Sequence, residues 1–354
     1  MGSIVSTISE AVSTVAPSGK VGYDVGFPHL GIFIKNLGSA IRIGNYTIAF
    51  YGIIISIGML IAFLIVSKTA KKFNINEDIF YDIFIIIIVL GIIGARAYYV
   101  IFKWDYYQIH MHEILDIRAG GLAIYGGIIL GIIGIFIYCL IRKIQVIKVF
   151  DLTAIGVALG QAIGRYGNFF NTEAFGEYTD NIFAMRIRKE LVSNSADISR
   201  SLLLNPIVEE GIEYIQVHPT FFYESTLNII LFIVMFIMIR KKHKFDGQIM
   251  ATYFIGYGII RFFVESLRTD SLMFMEFRIS QIVSIVLIAV GLLIFALNHF
   301  KIKPFDKVNE LNENMRVKIA ADDEQESSEE QINENNKDSE IDERDINEVN
   351  ENND

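Results

Sequence analysis

Apolar runs about as long as a bilayer is thick recur along this 354-residue chain. They lie at roughly 48–67, 79–102, 121–141, 150–169, 220–239, 248–267 and 277–299. About 20 apolar residues carry a helix across the hydrocarbon core. A spanning segment must satisfy its own backbone polar groups, so each run is expected to be a helix. The fold expected is therefore an all-α polytopic membrane protein with seven transmembrane helices. A hydrophobic content of 52% agrees with that class.

Orientation follows from lysine and arginine in the short connections. Lys68, Lys71 and Lys72 follow the first run, and Arg142, Lys143 and Lys148 follow the third. Arg240, Lys241, Lys242 and Lys244 follow the fifth, and Lys301, Lys303 and Lys307 the seventh. Every second junction is basic, which sets the N-terminus outside and the C-terminus inside. The longest connection, 174–217, falls outside between spans four and five. It is too long for a plain connector, so a small extracytoplasmic cap is expected there.

The flanking segments differ from the helical body. Residues 1–47 read as an extracytoplasmic N-terminal arm, in which Leu30 to Ile48 alternates apolar and polar residues and suggests short strands. No basic segment followed by an apolar core heads the chain, so no cleaved signal peptide is expected. Met1-Gly2-Ser3-Ile4-Val5-Ser6 fits the myristoylation pattern formally, but a multi-span chain needs no such anchor. Residues 303–354 form an acidic stretch almost free of aromatics, expected to be a disordered cytoplasmic tail. That tail supplies much of the net charge of −9, and the connections between spans are locally basic. Nucleic acid is not an expected partner. The single cysteine, Cys139, lies inside an apolar run, which rules out an intrachain disulfide and fits a buried small hydrophobe.

Against this apolar background the polar residues inside spans stand out, because each is costly there. The first cluster is Gly164-Arg165-Tyr166-Gly167-Asn168-Phe169-Phe170-Asn171-Thr172-Glu173-Ala174-Phe175-Gly176, at the outer end of the fourth run. The second is Tyr257, Arg261 and Glu265, four residues apart and so on one helical face, with Arg268 one turn beyond. Arg261 with Glu265 alone reads equally well as a structural ion pair. Two arginines near the outer surface, each with a carboxylate close in sequence, read as a clamp for a phosphate, since arginine presents a planar fork. His218-Pro219-Thr220 leads into the fifth run, with Tyr223 and Glu224 one turn inside. Tyr125 stands between the glycine pairs Gly120-Gly121 and Gly126-Gly127 at the start of the third run. Arg96 and Tyr51-Gly52 are weaker candidates. The chain has no nucleotide-binding glycine loop, no His-Glu-x-x-His and no serine nucleophile elbow, so no metal or organic cofactor is expected.

At these residues the chain resembles the prolipoprotein diacylglyceryl transferases, bacterial membrane enzymes, from about Leu30 to Ile302. The Gly-Arg-x-Gly-Asn-Phe-x-Asn-x-Glu-x-x-Gly signature runs from Gly164 to Gly176. A His-Pro-Thr…Tyr-Glu element occupies 218–224, with Phe221 where the family often has glutamine. Tyr-Gly-x-x-Arg-Phe-x-x-Glu-x-x-Arg runs from Tyr257 to Arg268. The resemblance implies transfer of diacylglyceryl from phosphatidylglycerol to the lipobox cysteine of a prolipoprotein, in the bacterial cytoplasmic membrane, at its extracytoplasmic side. It carries catalytic roles to Arg165, Arg261, Tyr125, Glu173 and Glu265. Substrate contacts fall to Arg165, Asn168, Asn171, Tyr51, Tyr257, His218, Tyr223, Glu224 and Arg268.

One departure bears on mechanism. Some members have histidine where this chain has Tyr125, and an unperturbed tyrosine, with a pKa of about 10, is a poor base near neutral pH. The base is then either Tyr125 or water. In this scheme Glu173 and Glu265 orient the arginines. The rival class is an anion or lipid transporter with arginines at its midplane, which predicts inverted repeats. No such repeat is visible, and both arginine segments lie near the outer surface. A non-catalytic scaffold leaves the Arg165 signature unexplained.

Overall fold

A computed structural model describes residues 22–300 except 44, 45, 74, 118, 119 and 272, together with the isolated residues 310 and 314. The expected disordered acidic stretch from Asp322 and residues 1–21 of the expected arm lie outside the described residues. The long helices are α1 (Phe50–Ala70), α2 (Asp78–Phe102), α3 (Ile124–Ile141), α4 (Val146–Phe170), α5 (Thr220–Lys241), α6 (Gln248–Leu267) and α7 (Ile279–His299). Six are long and apolar enough to cross a membrane. The remaining one, α6, has 20 residues and the bounds expected from the sequence, but it carries the polar stripe Tyr257, Arg261 and Glu265. The chain divides into two compact units, one of 22–74 and 150–300 and the other of 75–149 among the described residues.

In the first unit α4 is the helix most enclosed by protein. Of its most apolar stretch 61% is buried, against 33% or less in the other five candidate spans. The reason is compositional: Ala154, Ala158 and Ala162 fall four residues apart on one face and are all buried. Neighbours therefore approach closely, as small residues allow between membrane helices. A Cβ built on Gly58 of α1 would lie 3.2 Å from Ile163, and one on Gly156 would lie 2.9 Å from Val66.

The lysine-rich ends of these helices are tied together. Asp151, in the second turn of α4 and fully buried, accepts hydrogen bonds from the backbone N–H of Gly247 and of Met250, both 2.8 Å. The first turn of α6 thus has its orphan donors met by a carboxylate from another helix. His243 adds a contact to Asp151 at 3.4 Å, and Lys72 Nζ donates to the Arg240 carbonyl at the end of α5.

At the other end of the same helices the polypeptide is not all-helical. A five-stranded antiparallel sheet has the order β2-β1-β5-β7-β6, from β1 (Val25–Phe27), β2 (Ile32–Ile34), β5 (Met185–Arg188), β6 (Ile207–Glu209) and β7 (Ile212–Val217). A hairpin of β3 (Ala40–Ile43) and β4 (Tyr46–Ala49) leads into α1. The short strands expected before the first span are thus present, and the 174–217 connection supplies three of the five strands of the sheet. Alternation builds it: Met185 and Ile187 face a core with Val25, Ile215, Val217, Phe175 and Leu202, while Arg186 on the opposite face donates to Gln216 at 2.9 Å. Glu210 and Gly211 both have positive φ in the two-residue turn between β6 and β7, as a hairpin of this length requires.

In the second unit α2 and α3 pack through glycines. A Cβ on Gly126 would collide with the Gly94 carbonyl and with Tyr98 Cβ, and one on Gly127 would lie 2.9 Å from the Gly91 oxygen. Arg96 is buried and donates to four carbonyls: Glu113 (2.7 Å), Ile114 (2.8 Å), Gly120 and Gly121 (2.9 Å each). Its guanidinium also lies 5.2 Å from the Tyr107 ring centre. Arg96 therefore fastens the loop that feeds Tyr125. Gly126→Val should destabilise the protein by about 1–3 kcal/mol through overpacking. Gly131→Ala should leave it unchanged or slightly stabilised, since nothing lies within 4 Å of a Cβ there. Thermal unfolding in detergent compares the two.

Candidate active site

The ends of α4, α5, α6 and α7 nearest the sheet hold a network of charged side chains. Glu224 is one turn into α5, where Pro219 and Thr220 start the helix. Its carboxylate is almost fully buried, with 1% of the side chain exposed, and it is shared by two arginines. Arg165 Nη2 of α4 lies 2.6 Å from Oε1, and Arg261 Nη1 of α6 lies 3.3 Å from Oε2. Arg261 Nη2 pairs with Glu265 Oε2 at 2.6 Å, one turn along its own helix, and donates to Ser280 Oγ of α7 at 3.4 Å. Arg278, just ahead of α7, donates to the Glu265 carbonyl.

The two carboxylates are buried, whereas Arg165 is 20% and Arg261 16% exposed. Carboxylates thus hold the guanidiniums from behind, and the forks keep an open side. Glu224 and Glu265 pair Arg165 and Arg261, and Arg278 donates to a backbone carbonyl beside them. Removing these charges from water is costly unless they are paired, and the exposed side of each guanidinium can take an anion as a further partner. The Tyr257 ring stacks on Tyr253 at 5.5 Å and 6°. Tyr253 in turn donates to Gln161 Oε1 at 3.0 Å.

Sequence proximity misplaces one partner. The expected orienter of Arg165 is Glu173, but the carboxylate that pairs with Arg165 is Glu224. Glu173 instead accepts from Asn168 Nδ2 (2.9 Å) and Asn171 Nδ2 (3.3 Å), so three residues of the signature form a local cluster. The turn that makes this possible is strained. Thr172 and Ala174 both have positive φ, 49° and 57°, where a left-handed conformation costs about 1–2 kcal/mol per residue. Cross-links hold it: Glu173 N–H donates to Asn168 O (3.1 Å), Thr220 Oγ1 to Ala174 O, Gly176 N–H to His218 O (3.0 Å) and Glu177 N–H to Leu267 O (2.9 Å).

Residues 39–297 match the prolipoprotein diacylglyceryl transferase family. The chain belongs to that family. It is 42% identical over 255 residues to the phosphatidylglycerol–prolipoprotein diacylglyceryl transferase of Finegoldia magna, covering 72% of this chain and 93% of that protein. The Streptococcus uberis transferase is 42% identical over 254 residues, covering 72% and 92%. The Clostridioides difficile transferase is 40% identical over 246 residues, covering 70% and 89%.

The other residues expected in a diacylglyceryl transferase site fall in four places. Tyr51, at the start of α1, lays its ring on Gly167, where a Cβ would be 2.5 Å away. His218 and Tyr223 form a separate cluster: the Tyr223 hydroxyl accepts from Asn181 at 2.9 Å and lies 3.3 Å from His218 Nδ1. Burial pushes the His218 imidazole below its ordinary value, which favours the neutral ring. Arg268 turns to Asp270 in a two-pronged pair, Nε to Oδ1 at 2.9 Å and Nη2 to Oδ2 at 2.6 Å. Tyr125 belongs to the second unit, in the first turn of α3, with 41% of its surface exposed. Sequence reading missed Gln161, Tyr253 and Arg278. The four-residue spacing of Gln161 with Arg165, and of Tyr253 with Tyr257, was the available signal.

Two consequences are measurable. Arg261→Met removes a partner from both Glu224 and Glu265 and should cost about 3–5 kcal/mol in denaturant unfolding. Arg261→Met with Glu265→Met should recover part of that loss. The second concerns pH. Burial pushes the Asp270 carboxyl up, but Arg268 overrides this and holds it below the usual carboxylate value. The pair's contribution is then complete above an unfolded aspartate's pKa of about 4 and is lost as pH falls through the lowered value. The stability gap between wild type and Asp270→Asn should be constant near neutrality and close only in acid.

Proposed function

We propose that this protein transfers the diacylglyceryl group of phosphatidylglycerol to the lipobox cysteine of a prolipoprotein, and that Arg165 and Arg261 hold the lipid phosphate. The observation that carries this reading is the buried Glu224 carboxylate, shared by two partly open arginines. It makes the two forks a single preformed receptor for a phosphate ester. The cysteine sulfur attacks the glyceryl carbon, a carbon–sulfur bond forms, and the carbon–oxygen bond to phosphate breaks. The electron pair leaves with glycerol phosphate, and the thiol proton passes to a base or to water.

Each part of the site has a task in this scheme. The extra negative charge on the leaving phosphate develops beside the arginines, where preorganised donors stabilise it best. Glu224 and Glu265 position those donors. Asn168, Asn171 and Glu173 form the polar wall next to them, and Tyr257 and Tyr51 line the approach. His218 and Tyr223 support the sheet end, and Arg268 fixes the exit of α6. The same positive field lowers the pKa of an approaching thiol, ordinarily about 8.5. Tyr125 is one candidate for the proton acceptor, and water is the other.

The reading extends to membrane placement. Seven helices cross the bacterial cytoplasmic membrane, with α6 stabilised by its partners rather than by hydropathy. The basic junctions lie inside, and the sheet forms the extracytoplasmic cap beside the arginines.

Transfer from labelled phosphatidylglycerol to a lipobox peptide tests the proposal. Arg165→Ala and Arg261→Ala should each lower the rate about 10²–10³-fold. They should also raise the kinetic pKa of the thiol. Unaltered rates in both variants, or no thioether product from folded wild type, would sink the proposal. Persistence of product in Tyr125→Phe assigns the proton to water.

A further inference from the structure

The lysine-rich end of the first unit holds a second concentration of positive charge, well away from the network around Glu224. A cleft of about 300 Å³ opens there, lined by Lys72, Phe73, Ile239, Arg240, Lys241 and His243. Glu224 and Arg240 are 16 residues apart on α5, so the cleft lies about 24 Å along the helix from the arginine pair.

The lining has a definite chemistry. It contains three full cations and a histidine, and no carboxylate. Among the described residues, Lys72, Arg240 and Lys241 form no ion pair. They are nonetheless placed by other contacts. Lys72 Nζ donates to the Arg240 carbonyl, which sets its position at the end of α5. The Arg240 guanidinium lies 4.2 Å from the centre of the Phe236 ring. His243 is held from behind by the buried Asp151 and packs edge-on against Phe73 at 5.1 Å. Phe73 and Ile239 give the cleft an apolar wall, and α5 continues from it with exposed Val234 and Ile237.

We propose that this cleft is a second anion site, distinct from the transfer site, that takes the phosphate of a phosphate ester. Unpaired cations gathered at a helix end need a counter-charge, because the last carbonyls of α5 offset only part of it. The apolar wall suits an ester whose remainder is lipid, and basic clefts between helices at an inner membrane surface suit anionic headgroups. A soluble phosphate ester offers the same phosphate without the chains.

The test is native mass spectrometry of the full chain released from micelles of a non-ionic, phosphate-free detergent containing phosphatidylserine. Lys72→Gln with Lys241→Gln should retain one phosphatidylserine fewer than wild type. Lys72→Arg with Lys241→Arg should restore it. Lys68→Gln with Lys244→Gln, which removes the same charge outside the cleft lining, should retain as many as wild type. Glycerol phosphate added to wild type separates the sources: displacement of the extra lipid means the site reads the phosphate alone, and resistance means the chains contribute. Equal retention by wild type and the Lys72/Lys241 variant overturns the site. So does an equal loss in the Lys68/Lys244 variant, which would assign the effect to diffuse surface charge.

Discussion

A carboxylate buried between two arginines is the interaction on which the rest of the site depends. Glu224 joins α4 to α5 and α5 to α6, and through Arg261 and Glu265 it extends to α7. None of these ions is stable alone in an apolar surrounding, so each fixes the position of the next. The helices therefore converge at one end because their charges require it. The cost of burying the carboxylates is offset by pairing, and the partly open sides of the guanidiniums remain for a ligand.

The same logic recurs at the opposite end with different partners. There Asp151 meets backbone donors at the start of α6 as well as the His243 side chain, and it fixes where that helix begins. The small residues of α4 let both arrangements form, since they bring neighbouring backbones close enough for short polar side chains to reach across.

The helices were legible in the sequence because about 20 apolar residues in a row leave few other structures open. Arg165, Arg261 and Glu265 were legible for the complementary reason, as charges where charge is expensive. Less was legible where structure depends on distant pairing. The sheet joins Val25 to Ile187 and Arg186 to Gln216 through strands of three to six residues, too short for a clear local period. The partner of Arg165 was misjudged for a similar reason. Glu173 is near in sequence, but the backbone reverses through Thr172 and Ala174 and gives Glu173 to the asparagines. Glu224 reaches Arg165 from a helix that begins 50 residues after α4 ends.

The polar stripe of α6 also bears on how the protein is assembled. A helix with an arginine and a glutamate on one face enters hydrocarbon poorly by itself, and α6 is the long helix whose hydropathy does not suffice for a span. Its Arg261 is answered by Glu224 on α5 and Ser280 on α7, and its first turn by Asp151 on α4. All but one of these partners precede it in the chain. Most of what holds α6 thus comes from helices earlier in the chain, and Ser280 of α7 adds to it. Arg165 and Glu224 pair without α6, so a chain that fails to seat α6 keeps that half of the network and lacks the half that Arg261 and Glu265 supply.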